Sequence, residues 1–234
     1  MLPERTHGYR GPLSTLVYKR RGQVGLFFVA ALSVLAGMTD AIGFLATGDF
    51  VSFMSGNTTR MAVALGDGHW ALALRLALLI GAFIAGNALG VIVAWLSARR
   101  AWPLLLLAAA LLLTAGLVDS HAQLVALFAA IIAMGMLNAA VEEVNGLPIG
   151  LTYVTGALSR FGRGLGRWLL GERRPGWRVQ LVPWAGMFCG AVIGGLLEHR
   201  LGLAALLACS LLAALLAVVS VFIPRRWLRR YMTK

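Results

Sequence analysis

Six apolar runs, at 23–45, 72–96, 101–118, 122–141, 179–197 and 202–223, take up most of this chain. Each is close to the roughly 20 residues that a helix needs to cross a hydrocarbon layer about 30 Å thick. Inside such a layer no water is available to backbone N–H and C=O groups, so the runs are restricted to helices that satisfy those groups internally. A soluble fold is excluded by the same residues: 59% are hydrophobic and 13% charged, with a mean hydropathy of +0.81, where about half and a quarter are usual. The expected fold class is therefore all-α, a polytopic helical membrane protein with about six spans. Pro103 falls in the first turn of the third run, where a missing N–H is harmless, and Pro224 closes the sixth.

The formal net charge is +12, and its placement explains it. With six spans and both termini in the cytoplasm, only Arg60, Arg75 and Arg200 of the 21 Lys and Arg residues fall on the outer side. That is the positive-inside bias of a membrane protein, and it accounts for the basic balance without nucleic acid. The expected organisation is a cytoplasmic segment at 1–22, one transmembrane domain at 23–223 and a basic cytoplasmic tail at 224–234. The polar N-terminus offers no early apolar stretch with a small-residue cleavage site, so the first run is expected to remain as an anchor. Cys189 and Cys209 lie inside apolar runs and read as small buried hydrophobes.

Two weaker segments, 50–66 and 150–165, complicate the count. The first carries Ser52, Ser55, Asn57, Thr58, Thr59 and Arg60. Full crossing by both would make eight spans and leave the charge bias intact. Polarity and shortness favour six spans, with each segment a re-entrant or half-length helix packed within protein rather than against lipid.

The two segments resemble each other. Ser52-Phe53-Met54-Ser55-Gly56 aligns with Thr152-Tyr153-Val154-Thr155-Gly156, and Thr59-Arg60-Met61 with Ser159-Arg160-Phe161. Upstream, Gly37-Met38-Thr39-Asp40-Ala41 aligns with Gly135-Met136-Leu137-Asn138-Ala139. Downstream, Ala82, Gly86 and Gly90 align with Gly186, Gly190 and Gly194, rows of small residues that let helix backbones approach. Chance likeness between Gly- and Ala-rich helices explains the rows but not three motifs in one order. Two internal repeats are expected, about 23–120 and 121–223. With three spans in each, the second enters the membrane from the opposite side, an inverted repeat of the kind found in secondary transporters.

The stretches Gly-Met-Thr-Asp-Ala-Ile-Gly-Phe-Leu (37–45) and Phe-Met-Ser-Gly-Asn-Thr (53–58), with Gly81 to Gly90, carry a family resemblance. They resemble the YoaK family of bacterial inner-membrane proteins, a domain-of-unknown-function group. The likeness runs from about 26 to 223, and its most specific piece is Gly56-Asn57-Thr58. The family more often has Thr where Ser55 stands, which preserves the hydroxyl. The resemblance implies a small multi-pass protein of the bacterial inner (plasma) membrane. It supplies no substrate and no catalytic residues.

Candidate site residues follow from the polar groups inside apolar surroundings. A carboxylate in an apolar span costs about 2.5–3.5 kcal/mol at mid-helix on insertion scales, and Asp40 sits toward the outer end of the first span rather than at its centre. It reads either as a proton, cation or substrate ligand or as a structural cap. Ser55 and Thr155 are expected N-caps of short helices, with Gly56 and Gly156 next and Arg60 and Arg160 one turn on. A helix N-terminus with an arginine favours an anion. The structural alternative pairs Arg60 with Asp40, and Arg160 with Glu142 or Glu143. The first half keeps the richer set, since Asn57 becomes Ala157, Thr58 becomes Leu158 and Asp40 becomes Asn138. The second half has gained Arg163 and Arg167. With Arg160 they share one helical face, which suits a basic surface helix near anionic lipid, although Gly162, Gly164 and Gly166 weaken it. Asn87 is placed to hydrogen-bond across to the first span.

Other chemistries lack their signatures. His69, His121 and His199 show no H-x-x-x-H spacing, so no metal is expected. No Walker loop or G-x-S-x-G occurs, so no cofactor and no enzyme is expected. An intramembrane enzyme would have only Asp40, Ser55 and the Glu142–Glu143 pair to work with. The expected function is a secondary transporter or channel for a small polar solute, with an anionic group favoured. The alternative is a non-transporting scaffold or accessory subunit. The lipid bilayer is the expected partner, and a homo-oligomer stays open.

Overall fold

Apolar runs without water must close their hydrogen bonds locally, and helix is accordingly almost the only regular structure in the computed structural model, which describes residues 12–98, 100–119, 122–138, 143–144, 147–148, 154–173 and 176–223. Its helices are α1 (Pro12–Thr47), α2 (Met54–Gly66), α3 (Trp70–Leu96), α4 (Ala101–Leu117), α5 (Gln123–Asn138), α6 (Val154–Leu169), α7 (Leu181–Leu201) and α8 (Leu206–Val221). Single 3₁₀ turns, Trp177–Gln180 and Gly202–Ala205, lead into α7 and α8. The exception to an all-α reading is a small antiparallel ribbon, β1 (Glu143–Val144) with β2 (Leu147–Pro148), in which Glu143 faces Pro148 and Val144 faces Leu147.

The six expected spans correspond to α1, α3, α4, α5, α7 and α8. Within α1 the apolar part runs Gly22–Thr47; it, α3 and the stretch Trp177–Val221 are long and apolar enough to cross a membrane. Helices α4 and α5 are apolar but shorter, at 17 and 16 residues. The last residues of the fourth run, the tail at 224–234, the start of the N-terminal segment, His121 and Glu142 lie outside the described residues.

Burial divides the helices into an interior and an outer set. Phe28, Leu32, Leu35 and Ile42 of α1, Leu104 and Leu112 of α4, Ile131 and Met134 of α5, and Cys209 and Leu216 of α8 belong to one core. Helices α3 and α7 bury only narrow stripes. For α7 the stripe is Pro183, Gly186, Gly190 and Gly194; for α3 it includes Ala73, Leu76, Gly86, Gly90 and Ala94. Such spacing near four residues keeps one face of a helix against its neighbour.

Glycine sets how close these pairs come. Helix α1 packs on α7, α3 on α5, and α4 on α8. A Cβ at Gly37 would strike the carbonyl oxygen of Met187 and lie 2.8 Å from the amide nitrogen of Ala191. One at Gly135 would lie 2.5 Å from the carbonyl oxygen of Phe83 and 3.0 Å from the amide nitrogen of Asn87. Gly190 meets the Val34 backbone and Gly86 the Ile132 backbone in the same way. Small residues here exchange side-chain volume for backbone contact, the main source of helix adhesion where lipid is as apolar as leucine. Between α4 and α8 the Ser210 hydroxyl adds a hydrogen bond to the Ala109 carbonyl, 2.7 Å long.

Helices α2 and α6 differ from expectation. Both are short, at 13 and 16 residues, but neither is enclosed by protein. Only Asn57 and Ala64 of α2 and only Ala157 of α6 are buried. Each rests along one edge on the helix that follows it: α2 on α3, and α6 on Trp177–Gln180 and α7. Their other faces are open, and leave Val63 and Leu65 of α2 and Leu165, Trp168 and Leu169 of α6 exposed. Gly48 and Gly68, at φ 77° and 75°, make the left-handed turns that set α2 off from α1 and α3.

Candidate functional site

Asp40 is the first fixed point of the site. It lies on the last turns of α1, is 6% exposed, and faces the loop that leads to α2. Its Oδ1 accepts the N–H groups of Val51 at 2.8 Å and Ser52 at 2.6 Å, and its Oδ2 accepts the Ser52 hydroxyl at 2.5 Å. Charge-assisted bonds of this kind are the strong ones, and a buried carboxylate requires them. The loop thereby occupies both oxygens of the one carboxylate in the first span.

Asn57 supplies the second fixed point from α2. Its Nδ2 donates to the Phe50 carbonyl at 2.7 Å, and its Oδ1 accepts the Phe50 N–H at 3.2 Å. A side-chain amide thus pairs with a backbone amide on both sides, as a strand would. Asn57 is fully buried. Above it Phe50 stacks on Phe44 at 4.8 Å and meets Phe53 edge-on at 5.2 Å.

The third is an ion-pair cluster that the sequence reading missed. Asp49 is 1% exposed and sits between two arginines. Arg60 Nη1 lies 2.6 Å from Oδ1 and Arg75 Nη2 lies 2.5 Å from Oδ2. Arg60 also donates to the Gly48 carbonyl at 2.6 Å, and Arg75 to the Thr47 carbonyl at 3.3 Å. Two cations on one carboxylate leave a surplus positive charge at the junction of α1, α2 and α3. Both arginines remain about a third exposed. The available signal was an acid, Asp49, placed between two apolar runs near Arg60 and Arg75, the only two arginines between residues 22 and 98.

Several expectations are corrected. Arg60 pairs with Asp49, not with Asp40. Ser55 is not an N-cap: Phe53 takes that position, without a side-chain cap bond. The first N–H groups of α2 turn inward, Met54 to the Ser52 carbonyl and both Gly56 and Asn57 to the Phe53 carbonyl. The Phe53 ring also covers Gly56, so this helix end is closed by its own loop. The hydroxyls of Thr58 and Thr59 bond back to the carbonyls of Met54 and Ser55. Asn87 bonds within its own helix, to the Phe83 carbonyl at 2.9 Å, rather than across to α1.

The second-half residues form a separate corner. Thr155 is exposed and Gly156 half-buried. Arg160 Nε donates to Oε1 of the buried Gln180 at 2.8 Å, which ties α6 to the turn before α7; Glu143 has no described side chain. Among the described residues no hydrogen bond or ion pair joins the Arg60 set to the Arg160 set. What lies open beside the first set is a shallow groove of about 220 Å³ between α2 and α3, lined by Thr59, Arg60, Val63, Ala64, Asp67, His69 and Leu72. Among the described residues no three His, Cys, Asp or Glu side chains stand close enough to hold a metal ion.

Comparison with known proteins agrees with this membrane architecture. Residues 28–219 match the family model described as "Protein of unknown function (DUF1275)". The chain is similar to the UPF0700 transmembrane protein RA0705 of Rhizobium meliloti (strain 1021), with 51% identity over 217 residues, covering 92% of this chain and 95% of that relative. No solved structure matches.

Proposed function

The chain belongs to the DUF1275 family of transmembrane proteins, and from that premise we propose that it is a secondary transporter or channel for a small polar solute, with an anionic group favoured, built from two inverted repeats in the inner membrane. The YoaK likeness is, on this reading, a likeness to the same family.

The observation that carries the proposal is an exchanged pattern of packing. Gly37 and Gly135 stand 98 residues apart, and so do Val34 and Ile132; Met187 and Phe83 stand 104 apart, and so do Gly190 and Gly86. Gly37 meets Met187 where Gly135 meets Phe83, and Gly190 meets Val34 where Gly86 meets Ile132. The first helix of each half is thus held by the second helix of the other, with glycines at matching sequence positions. The third helices, α4 and α8, pack on each other. Helices α2 and α6 share one exposure pattern, residue for residue, over 54–63 and 154–163. A two-fold axis between the halves produces this arrangement, and with three spans per half that axis lies in the membrane plane. Exchange of conformation between such halves is the usual basis of alternating access.

The anionic preference rests on Arg60, which lines the open groove and stays about a third exposed beside its pairing with Asp49. One observation favours the scaffold reading instead: Asp40, Asn57 and Asp49 all spend their polar groups inside the protein.

The test uses the full chain with Cys189 and Cys209 replaced by alanine. Single cysteines at His69 and Arg173, both exposed, are labelled with an impermeant maleimide, and the protein in proteoliposomes is pulsed with short carboxylates and phosphate. Labelling from opposite sides together with solute-dependent uptake that Arg60→Ala weakens is expected. Labelling from the same side overturns the inverted arrangement, and no uptake of any solute favours the scaffold.

A further inference from the structure

We propose that α6 is a docking surface for anionic phospholipid, lying in the headgroup layer of the leaflet that bears most of the protein's positive charge. This inference does not depend on the transport reading.

Three features of α6 point to it. On a helical projection at 100° per residue Arg160, Arg163 and Arg167 lie within one narrow sector, while Leu158, Leu165, Trp168 and Leu169 lie on the other side. That apolar side is open: Leu169 is 71% exposed, and Leu158, Leu165 and Trp168 are exposed as well. Among the described residues the helix rests on the protein along the edge between the two sides, through buried Ala157, through Gly164 against Trp177, and through Arg160 on Gln180. A helix held by one edge, with leucines on one flank and arginines on the other, is oriented as an interfacial helix requires.

The aromatic group at its end fits the same depth. Trp177 lies 5.1 Å from Phe161 and 6.5 Å from Trp168, centroid to centroid, with the Arg178 guanidinium 5.3 Å from its ring. Tryptophan with an adjacent arginine is favoured at the headgroup level. The occupant follows from charge. Arg163, held along the helix surface by its 2.8 Å bond to Ser159, and Arg167 present guanidinium forks that match phosphate bidentately. Helix α2, at the matching place in the first half, has one arginine, and Asp49 already holds it.

Native mass spectrometry of the full-length protein with phosphatidylglycerol or phosphatidylcholine reads the lipid preference. Wild type is expected to retain phosphatidylglycerol in preference to phosphatidylcholine. Arg163→Gln with Arg167→Gln should lower that preference about 25-fold, near fivefold per arginine, and Arg163→Lys with Arg167→Lys, which keep the charge but lose the fork, should fall between wild type and the glutamine pair. Spin labels at Leu165 and Leu169 in nanodiscs should be relaxed by oxygen, and labels at Arg163 and Gly166 by a water-soluble nickel complex. Equal retention by the glutamine pair, or water exposure at Leu165 and Leu169, would overturn the proposal.

Discussion

Asp40 and Ser52 are joined twice, by the Ser52 N–H at 2.6 Å and the Ser52 hydroxyl at 2.5 Å. The bond ties the end of the first membrane helix to the loop that starts α2. It makes Asp40 a fastener for that corner.

Replacing Asp40 by alanine should therefore act first on stability. Two buried N–H groups, of Val51 and Ser52, lose their acceptor, at roughly 1–3 kcal/mol each. The melting temperature in detergent should fall clearly for Asp40→Ala and less for Asp40→Asn, whose amide oxygen can still accept. An unchanged melting temperature in Asp40→Ala would show that the loop is held by other means.

Asn57→Ala installs the residue found at position 157 in the second half. It removes both bonds to Phe50 and should cost about 1–3 kcal/mol. Asn57→Asp should be as harmful, because the carboxylate cannot donate to the Phe50 carbonyl. Limited proteolysis of the 48–53 loop, faster in both variants, is the measurement.

Asp49→Ala should destabilise more than Arg60→Ala or Arg75→Ala. It strands two guanidiniums, whereas each arginine variant leaves Asp49 one partner. Because both arginines are about a third exposed, each single loss should stay near 1 kcal/mol. The double arginine variant should cost more than the two singles together, since only then does the buried carboxylate stand alone. A thermal-melt double-mutant cycle reads this coupling, and strict additivity would contradict the cluster.

Glycine substitutions separate contact from propensity. Gly37→Val and Gly135→Val should each block the close approach of a helix pair and abolish or sharply reduce folded yield. Gly162→Ala meets nothing within 4 Å and should stabilise α6 by about 1 kcal/mol. Monodisperse yield by fluorescence-detected size exclusion compares the three. A tolerated Gly135→Val would argue against the α3–α5 contact.

Much of this was readable in the chain. The helices α1, α3, α4, α5, α7 and α8 follow from run length, and the small-residue rows at Gly86 and Gly190 marked the faces that touch. The special corner at 40–60 was marked by its polarity. The partners within it were not. Ser55 looked like an N-cap because serine often is one, yet the Phe53 carbonyl takes the nearby N–H groups. Arg60 had an acid in sight at Asp40, but the chain folds so that Asp49 is nearer and Asp40 is already bound to Val51 and Ser52.

The sequence by itself determined that this is a helical membrane protein, because hydropathy and the backbone's need for internal hydrogen bonds act over each run alone. Tertiary structure decided which helix faces which and which charge meets which. Those outcomes depend on distances between residues far apart in the chain, such as Gly37 with Met187 and Asp49 with Arg75. A buried carboxylate takes whichever donors the packing brings within about 3 Å, and spacing along the chain does not specify them.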